Sequence, residues 1–258
     1  IASLYMRGMR FIQVPTTLIA QGDSAIGGKT AVNLTNAKNA IGTFYPAEFT
    51  LSDVSFLTTL SDREYFAGLV EVIKHGLLKS QDFLVWIKAN IDAVKTRQVW
   101  CLKEIVEFSS RTKLSFVAED LEDKKGIRAL LNLGHTVGHA IETLTNYKRY
   151  LHGEAVAIGL IEALRVGVSK GITAERLFQE TQELFQEFSL PTEVPENLLN
   201  LRDLSSRTGS AEQIWEAAIR ADKKRESQTL KFVLVRKEGD AFTMDITPEE
   251  IVKSIFRK

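Results

Sequence analysis

The sequence predicts an α/β remnant over residues 1–60 followed by a mostly α-helical domain over residues 61–258. Three observations carry this reading. Two short β-leaning runs, Phe11–Val14 and Phe49–Val54, fall within the first 60 residues. Beyond Leu60, apolar residues recur at helical spacing and are opened by side-chain caps. One later stretch, Leu230–Val235, reads as a strand inside that helical series.

Taken in order, Phe11–Val14 is closed by Pro15, which cannot continue a hydrogen-bonded ladder. The polar, glycine-containing segment Gln21–Gly42 is too long for a hairpin turn and reads as a functional loop between two strands. Ser61-Asp-Arg-Glu64 is a capping box that opens a helix reaching about Ser80. Leu84–Val94, Leu102–Val117, Gly126–Leu144 and Glu154–Val168 carry helical apolar spacing. Thr173 opens a helix with Leu177, Phe178, Leu184 and Phe185 on one face. Ser210-Ala-Glu-Gln213 is a second capping box, and Thr247-Pro248-Glu-Glu250 starts a last helix with proline at its first position.

Composition excludes several classes. With 33 basic and 33 acidic residues in 258, the chain has no net charge to attract nucleic acid, and no nucleic-acid partner is expected. Hydrophobic residues at 44% are too many for disorder. The single Cys101 cannot form an internal disulfide, which favours a reducing, cytoplasmic compartment. No apolar run approaches the ~18 residues of a membrane span, so no membrane partner is expected. The chain opens Ile-Ala-Ser-Leu-Tyr with no Met, which reads as a fragment or a processed chain.

Four histidines are few enough to weigh singly. His135 and His139 are four apart, so a helix places both rings on one face. Gly134 and Gly138 share that spacing; two glycines inside a helix suggest that something approaches the backbone closely. His152 stands at a helix start, and Glu71 lies among apolar residues, where a carboxylate needs a partner or a metal. Histidines with a glutamate suit an open divalent-metal site; the alternative is core or capping histidines. The residue after His135 is Thr136, so this is not a His-Glu-x-x-His protease motif. Asp23-Ser-Ala-Ile-Gly-Gly-Lys-Thr30 fails the P-loop spacing but offers backbone donors and Lys29 to an anion, or is a solvent-exposed turn. Arg128, Asn132 and His135, at spacings of 4 and 3, fall on one helical stripe, and Lys113, Lys74 and Asp222-Lys223-Lys224 add cations for a multiply anionic small molecule.

Six blocks in order then resemble the 3-dehydroquinate synthase group of sugar phosphate cyclases: Arg7–Thr17, Asp23–Thr30, Lys38–Gly42, Gly68–Lys74, Arg128–His139 and Leu151–Gly159. That resemblance implies conversion of 3-deoxy-D-arabino-heptulosonate 7-phosphate to 3-dehydroquinate and phosphate, a shikimate-pathway step, with NAD and Zn2+ or Co2+ as cofactors. It implies that residues 1–60 end an NAD-binding α/β domain and that residues 61–258 bind metal and substrate. Glu71, His135 and His152 would be the metal ligands, with His139 a base or proton relay rather than a ligand. Lys29 and Lys74 would act on the substrate alongside Arg7, Asp23, Asn39 and one of Lys223 or Lys224. Lys113, Arg128 and Asn132 would hold its carboxylate. Thr16, Thr17, Lys38, Phe56, Thr58 and Thr59 would contact NAD. The resemblance also implies a homodimer. Departures are Lys124, where the family often has an acid, an extra residue within Glu119–Gly126, and a longer gap at Tyr147–Tyr150. The alternatives are a cyclase making an inosose or a valiolone, a metal- and NAD-dependent polyol dehydrogenase, and an inactive fragment.

Overall fold

A computed structural model describes residues 1–34, 37–121, 123–200, 209–221 and 228–256, without the side chains of 33–40. Its contacts divide the chain into two compact units, Ile1–Val72 with Asp92–Arg128, and Ile73–Ile91 with Ala129–Lys258.

In the first unit, β1 (Ile12–Gln13) pairs in parallel with β4 (Phe49–Thr50). The buried Gln21 amide donates to the carbonyls of Pro15 and Asp53, at 3.1 and 2.8 Å, and ties the two strand exits together. The segment between those strands is not the open loop expected. A π-helical turn (Ala20–Ser24) is followed by an antiparallel hairpin, β2 (Lys29–Leu34) with β3 (Ala37–Phe44). Its polar residues masked the alternation of Thr30, Val32 and Ile41, so the strands were not legible.

Helix α1 (Asp62–Lys79) starts at the expected capping box: Ser61 Oγ accepts from the Glu64 amide at 3.3 Å and donates to the Glu64 carboxylate at 2.9 Å. The expected helix Leu84–Val94 is two pieces, α2 (Gln81–Ala89) and α3 (Ile91–Lys95), broken at Asn90. Asn90 turns its side-chain amide back onto the Trp86 carbonyl, a local bond that competes with helix continuation. In α4 (Val99–Glu119), Ser109 Oγ donates to the Gly22 carbonyl at 3.1 Å and holds the π-helical turn against the helix. Cys101 is fully buried on α4, and burial, reinforced by Glu104, pushes its thiol up to about 11, so it is an inert core residue.

In the second unit, the helix expected over Gly126–Leu144 does not run through. A 3-10 segment covers Ile127–Asn132, and α5 (His135–Leu144) begins after Gly134, whose φ of 79° is left-handed. Beside it lies α6 (His152–Ser169), where the apolar stripe is almost wholly buried. Then come α7 (Glu175–Glu187), the short α8 (Glu196–Leu199) and α9 (Ala211–Ala221). Leu177, Leu184 and Phe185 are buried on α7 as expected, but the hydroxyl of Thr173 bonds the Val235 carbonyl rather than capping that helix. The strand expected at Leu230–Val235 is half of a hairpin: β5 (Leu230–Lys237) pairs antiparallel with β6 (Asp240–Ile246). Met244, Asp245 and the half-exposed Ala241–Thr243 gave β6 too little apolar pattern to be read.

The closing helix α10 (Pro248–Phe256) carries a capping box in which Glu250 accepts from the Thr247 amide at 2.9 Å and from Lys170 Nζ at 2.7 Å. The Lys170 bond and then the Thr247 amide lower the Glu250 pKa from 4.5 to about 2. A depressed carboxylate stabilises the fold above its unfolded pKa, and that contribution disappears as pH falls from 4.5 to about 2. Glu250→Ala is therefore expected to cost about 1 kcal/mol at neutral pH and nothing extra at pH 2, read by urea titration at both values. Among the described residues, no helix is long and apolar enough to cross a membrane.

Candidate active site

The strongest cluster of chemistry lies in the second unit. His135 is the first residue of α5, His139 sits one turn on, and His152 is the first residue of α6. Ring centroids are 5.2 Å apart for His135 and His152, 5.3 Å for His135 and His139, and 6.1 Å for His139 and His152. All three rings are half-buried. The spacing of His135 and His139 on one helical face is as expected.

The glycines explain how α5 and α6 come so close. A Cβ on Gly159 would lie 2.0 Å from the Gly134 carbonyl oxygen, and one on Gly138 would lie 3.2 Å from the Ala155 carbonyl oxygen. The backbones touch where side chains would otherwise hold them apart.

The two imidazoles that start helices are oriented in the same way. His135 Nδ1 donates to the Leu133 carbonyl at 3.1 Å, and His152 Nδ1 donates to the Glu142 carboxylate at 3.1 Å. An acceptor that takes the Nδ1 proton leaves Nε2 as a lone-pair donor. Glu142, buried and on the same helix as His139, was missed by the sequence reading. The signal that found Glu71, an acid among apolar residues, is also present at Ile141-Glu142.

Glu71 lies mid-helix on α1, 1% exposed, with Leu69, Val70, Val72 and Ile73 all at 0%; Lys74, one turn on, is also 1% exposed. His75, expected as surface or packing, is fully buried and so packs.

In the first unit, Lys113 Nζ pairs with the Asp23 carboxylate at 2.6 Å, both largely shielded. Lys29, expected beside a substrate anion, pairs with Asp123 at half-exposed surface, the kind of contact that yields readily to a stronger anion. Arg128 is 4% exposed and donates to the Leu121 carbonyl at 3.1 Å. The loop it addresses is pinned by Asp120. Burial pushes that carboxyl up, but the amides of Lys125, Lys124, Arg128 and Ile127 outweigh burial and hold it below the ordinary range. Because the helix breaks at Gly134, the single stripe expected for Arg128, Asn132 and His135 does not form: Arg128 is buried and Asn132 is exposed.

Thr17 Oγ1 accepts from the Ala20 amide, and Thr16 is exposed. Phe56, Thr58 and Thr59 lie on an exposed 3-10 turn, Val54–Thr59, capped by Asp53. Arg7 is exposed at a left-handed position, φ 68°. The side chains of Lys38 and Asn39, and the residues Lys223 and Lys224, lie outside the described residues.

Two family models cover most of the chain: 3-dehydroquinate synthase N-terminal over residues 1–67 and 3-dehydroquinate synthase C-terminal over residues 68–225. A 3-dehydroquinate synthase from Halorhodospira halophila is 42% identical over 255 residues, 98% of this chain and 68% of its own length. Among solved structures, the 2-epi-5-epi-valiolone synthase ValA of Streptomyces hygroscopicus, with NAD+ and Zn2+ bound, has a TM-score of 0.84 at 28% identity, covering 98% of this chain and 67% of that one. A 2-deoxy-scyllo-inosose synthase complexed with carbaglucose-6-phosphate, NAD+ and Co2+ has a TM-score of 0.82 at 26% identity, covering 98% and 68%. The chain thus spans about two thirds of the length of these relatives. With matching models over residues 1–225 and this degree of identity, the chain belongs to the 3-dehydroquinate synthase family.

Proposed function

We infer that the protein converts 3-deoxy-D-arabino-heptulosonate 7-phosphate to 3-dehydroquinate and phosphate, using NAD and a divalent ion, Zn2+ or Co2+. The observation that carries this reading is the histidine cluster. His135 and His152, with Nδ1 atoms tied to acceptors and ring centroids 5.2 Å apart, each offer Nε2 to one ion. Neutral imidazole nitrogens and the buried Glu71 carboxylate make a donor set suited to such an ion. Glu71, His135 and His152 are therefore the proposed ligands. An ion held there would polarise a substrate hydroxyl while the nicotinamide takes up and returns a hydride.

The chain's own residues supply the rest. His139, beside the ligand histidines, is the proposed proton relay. Lys29, Lys74, Arg7, Asn39 and one of Lys223 or Lys224 are proposed to surround the substrate phosphate or hydroxyls, and Asp23 to face the substrate. Lys113, Arg128 and Asn132 are proposed to grip the carboxylate, where charge-assisted bonds give orientation as well as affinity. Thr16, Thr17, Lys38, Phe56, Thr58 and Thr59 are proposed for NAD. In this reading residues 1–60 are the end of an NAD-binding α/β domain and residues 61–258 the metal- and substrate-binding part, and the protein works as a cytoplasmic homodimer.

The test is phosphate release in the presence of NAD+ and Zn2+. Release from the heptulosonate phosphate, none from sedoheptulose 7-phosphate, and no net NADH are expected. Turnover of sedoheptulose 7-phosphate instead would make it another cyclase, because that substrate lacks the carboxylate; accumulating NADH would make it a dehydrogenase.

A further inference from the structure

We propose that Glu142 is a positioning residue for the metal site: its carboxylate accepts the hydrogen bond from Nδ1–H of His152 and fixes that ring with Nε2 presented to the ion. The proposal rests on the reading of His152 as a ligand. The two groups meet at 3.1 Å, and the Glu142 side chain is 5% exposed against 30% for His152. A buried carboxylate is costly without partners, so its place in this unit needs a role. An ionised carboxylate accepts hydrogen bonds and cannot donate them, which sets the tautomer of the ring it meets.

The chain geometry supports the role. Glu142 is carried by α5, the same helix that carries His135 and His139, whereas His152 comes from α6. The contact therefore locks the α6 imidazole to the helix that bears the other ligand histidine. His135 receives the same service from the Leu133 backbone carbonyl. Of the two supports, Glu142 alone is a side chain, and alone carries charge, which makes His152 the stronger electron donor of the pair.

Glu142 also has a carboxylate oxygen within 4.8 Å of donor atoms of His139 and His152, so a second ion bound there is the competing arrangement. Glu142→Gln, which keeps the volume and removes the charge, separates the two. Zinc affinity is read by chelator competition, stoichiometry by metal analysis, and the stability of the zinc-free protein by urea titration. We expect one ion per chain in the unaltered protein, a 10- to 100-fold weaker zinc affinity in the variant, and an unchanged zinc-free midpoint. A shift in the absorption bands of bound Co2+ should accompany the loss. Should Glu142→Gln not fold, Glu142→Asp is read in the same way, because a carboxylate one methylene shorter no longer reaches Nδ1.

His152→Ala is the control on the underlying reading. If it abolishes zinc binding while Glu142→Gln holds zinc within twofold of the unaltered protein, the positioning role is overturned and the ligand role stands. If His152→Ala binds zinc normally, the ligand role itself falls. Two ions per chain, with one lost in Glu142→Gln, would make Glu142 a ligand and overturn the proposal.

Discussion

His135→Ala is expected to abolish both zinc binding at micromolar metal and turnover, with kcat/KM falling by at least about 10^3-fold. The ring begins α5, its Nδ1 is held by the Leu133 carbonyl, and its centroid stands 5.2 Å from that of His152. No side chain follows the methyl of alanine into that position. Stability gives a second readout that does not depend on activity. A ligand present at about 1,000 times its dissociation constant stabilises the state that binds it by about 4 kcal/mol. Zinc should therefore raise the thermal midpoint of the unaltered protein and leave that of His135→Ala in place. His139→Ala separates ligand from proton carrier. Its ring is 5.3 Å from that of His135, yet in our reading it holds a proton and not the ion. It should keep the zinc-dependent rise and lose about 10^2- to 10^4-fold in rate. A zinc-dependent rise that survives in His135→Ala but vanishes in His139→Ala would exchange the two roles.

These proposed roles were only half legible in the sequence. Spacing alone put His135 and His139 together on a helix and could not say which of them faces a metal. The family resemblance supplied the proposed pairing of His135 with His152; in the structure those two rings have Nδ1 tied to the acceptors Leu133 and Glu142. Nothing local links Glu142 to His152 ten residues on, because the contact exists only once α5 and α6 have packed.

Elements with strong local chemistry were readable. The capping boxes at Ser61, Ser210 and Thr247 each satisfy exposed helix-start amides, a requirement that acts within four residues. Elements decided by tertiary pairing were not. The hairpin of β2 and β3 and the strand β6 interleave polar residues such as Lys29, Thr30, Thr43, Thr243 and Asp245 with their apolar ones, so their period was hidden. The continuous helix read through Gly126–Leu144 failed at Gly134. Gly134 does mark a close approach to its backbone, but its left-handed φ of 79° also ends one segment and starts another. That break removed the proposed stripe of Arg128, Asn132 and His135 and left Arg128 buried against the Asp120-anchored loop.

The same close approach gives Gly159→Ala a large expected structural effect. On helix propensity alone it should stabilise α6 by up to about 1 kcal/mol. The added Cβ, however, would stand 2.0 Å from the Gly134 carbonyl oxygen and 2.8 Å from the Gly138 amide nitrogen. Both obstacles are backbone, so no rotamer change relieves the clash, and α5 and α6 must part. Overpacking of this kind costs about 3 kcal/mol and reverses the sign of the propensity gain. The clash falls between Gly134, the residue before His135 on α5, and Gly159, seven positions after His152 on α6, so the spacing of the two rings must change with it. Gly159→Ala is thus expected to lower the unfolding free energy by about 2 kcal/mol net and to weaken zinc binding by about 100-fold. Gly171→Ala is the fitting comparison: its φ of 67° is left-handed, but nothing stands within 4 Å of its added Cβ. It should cost about 1 kcal/mol through backbone strain and leave zinc affinity where it was. Equal zinc affinities in Gly159→Ala and the unaltered protein would mean that the α5–α6 contact does not set the spacing of the two proposed ligand histidines.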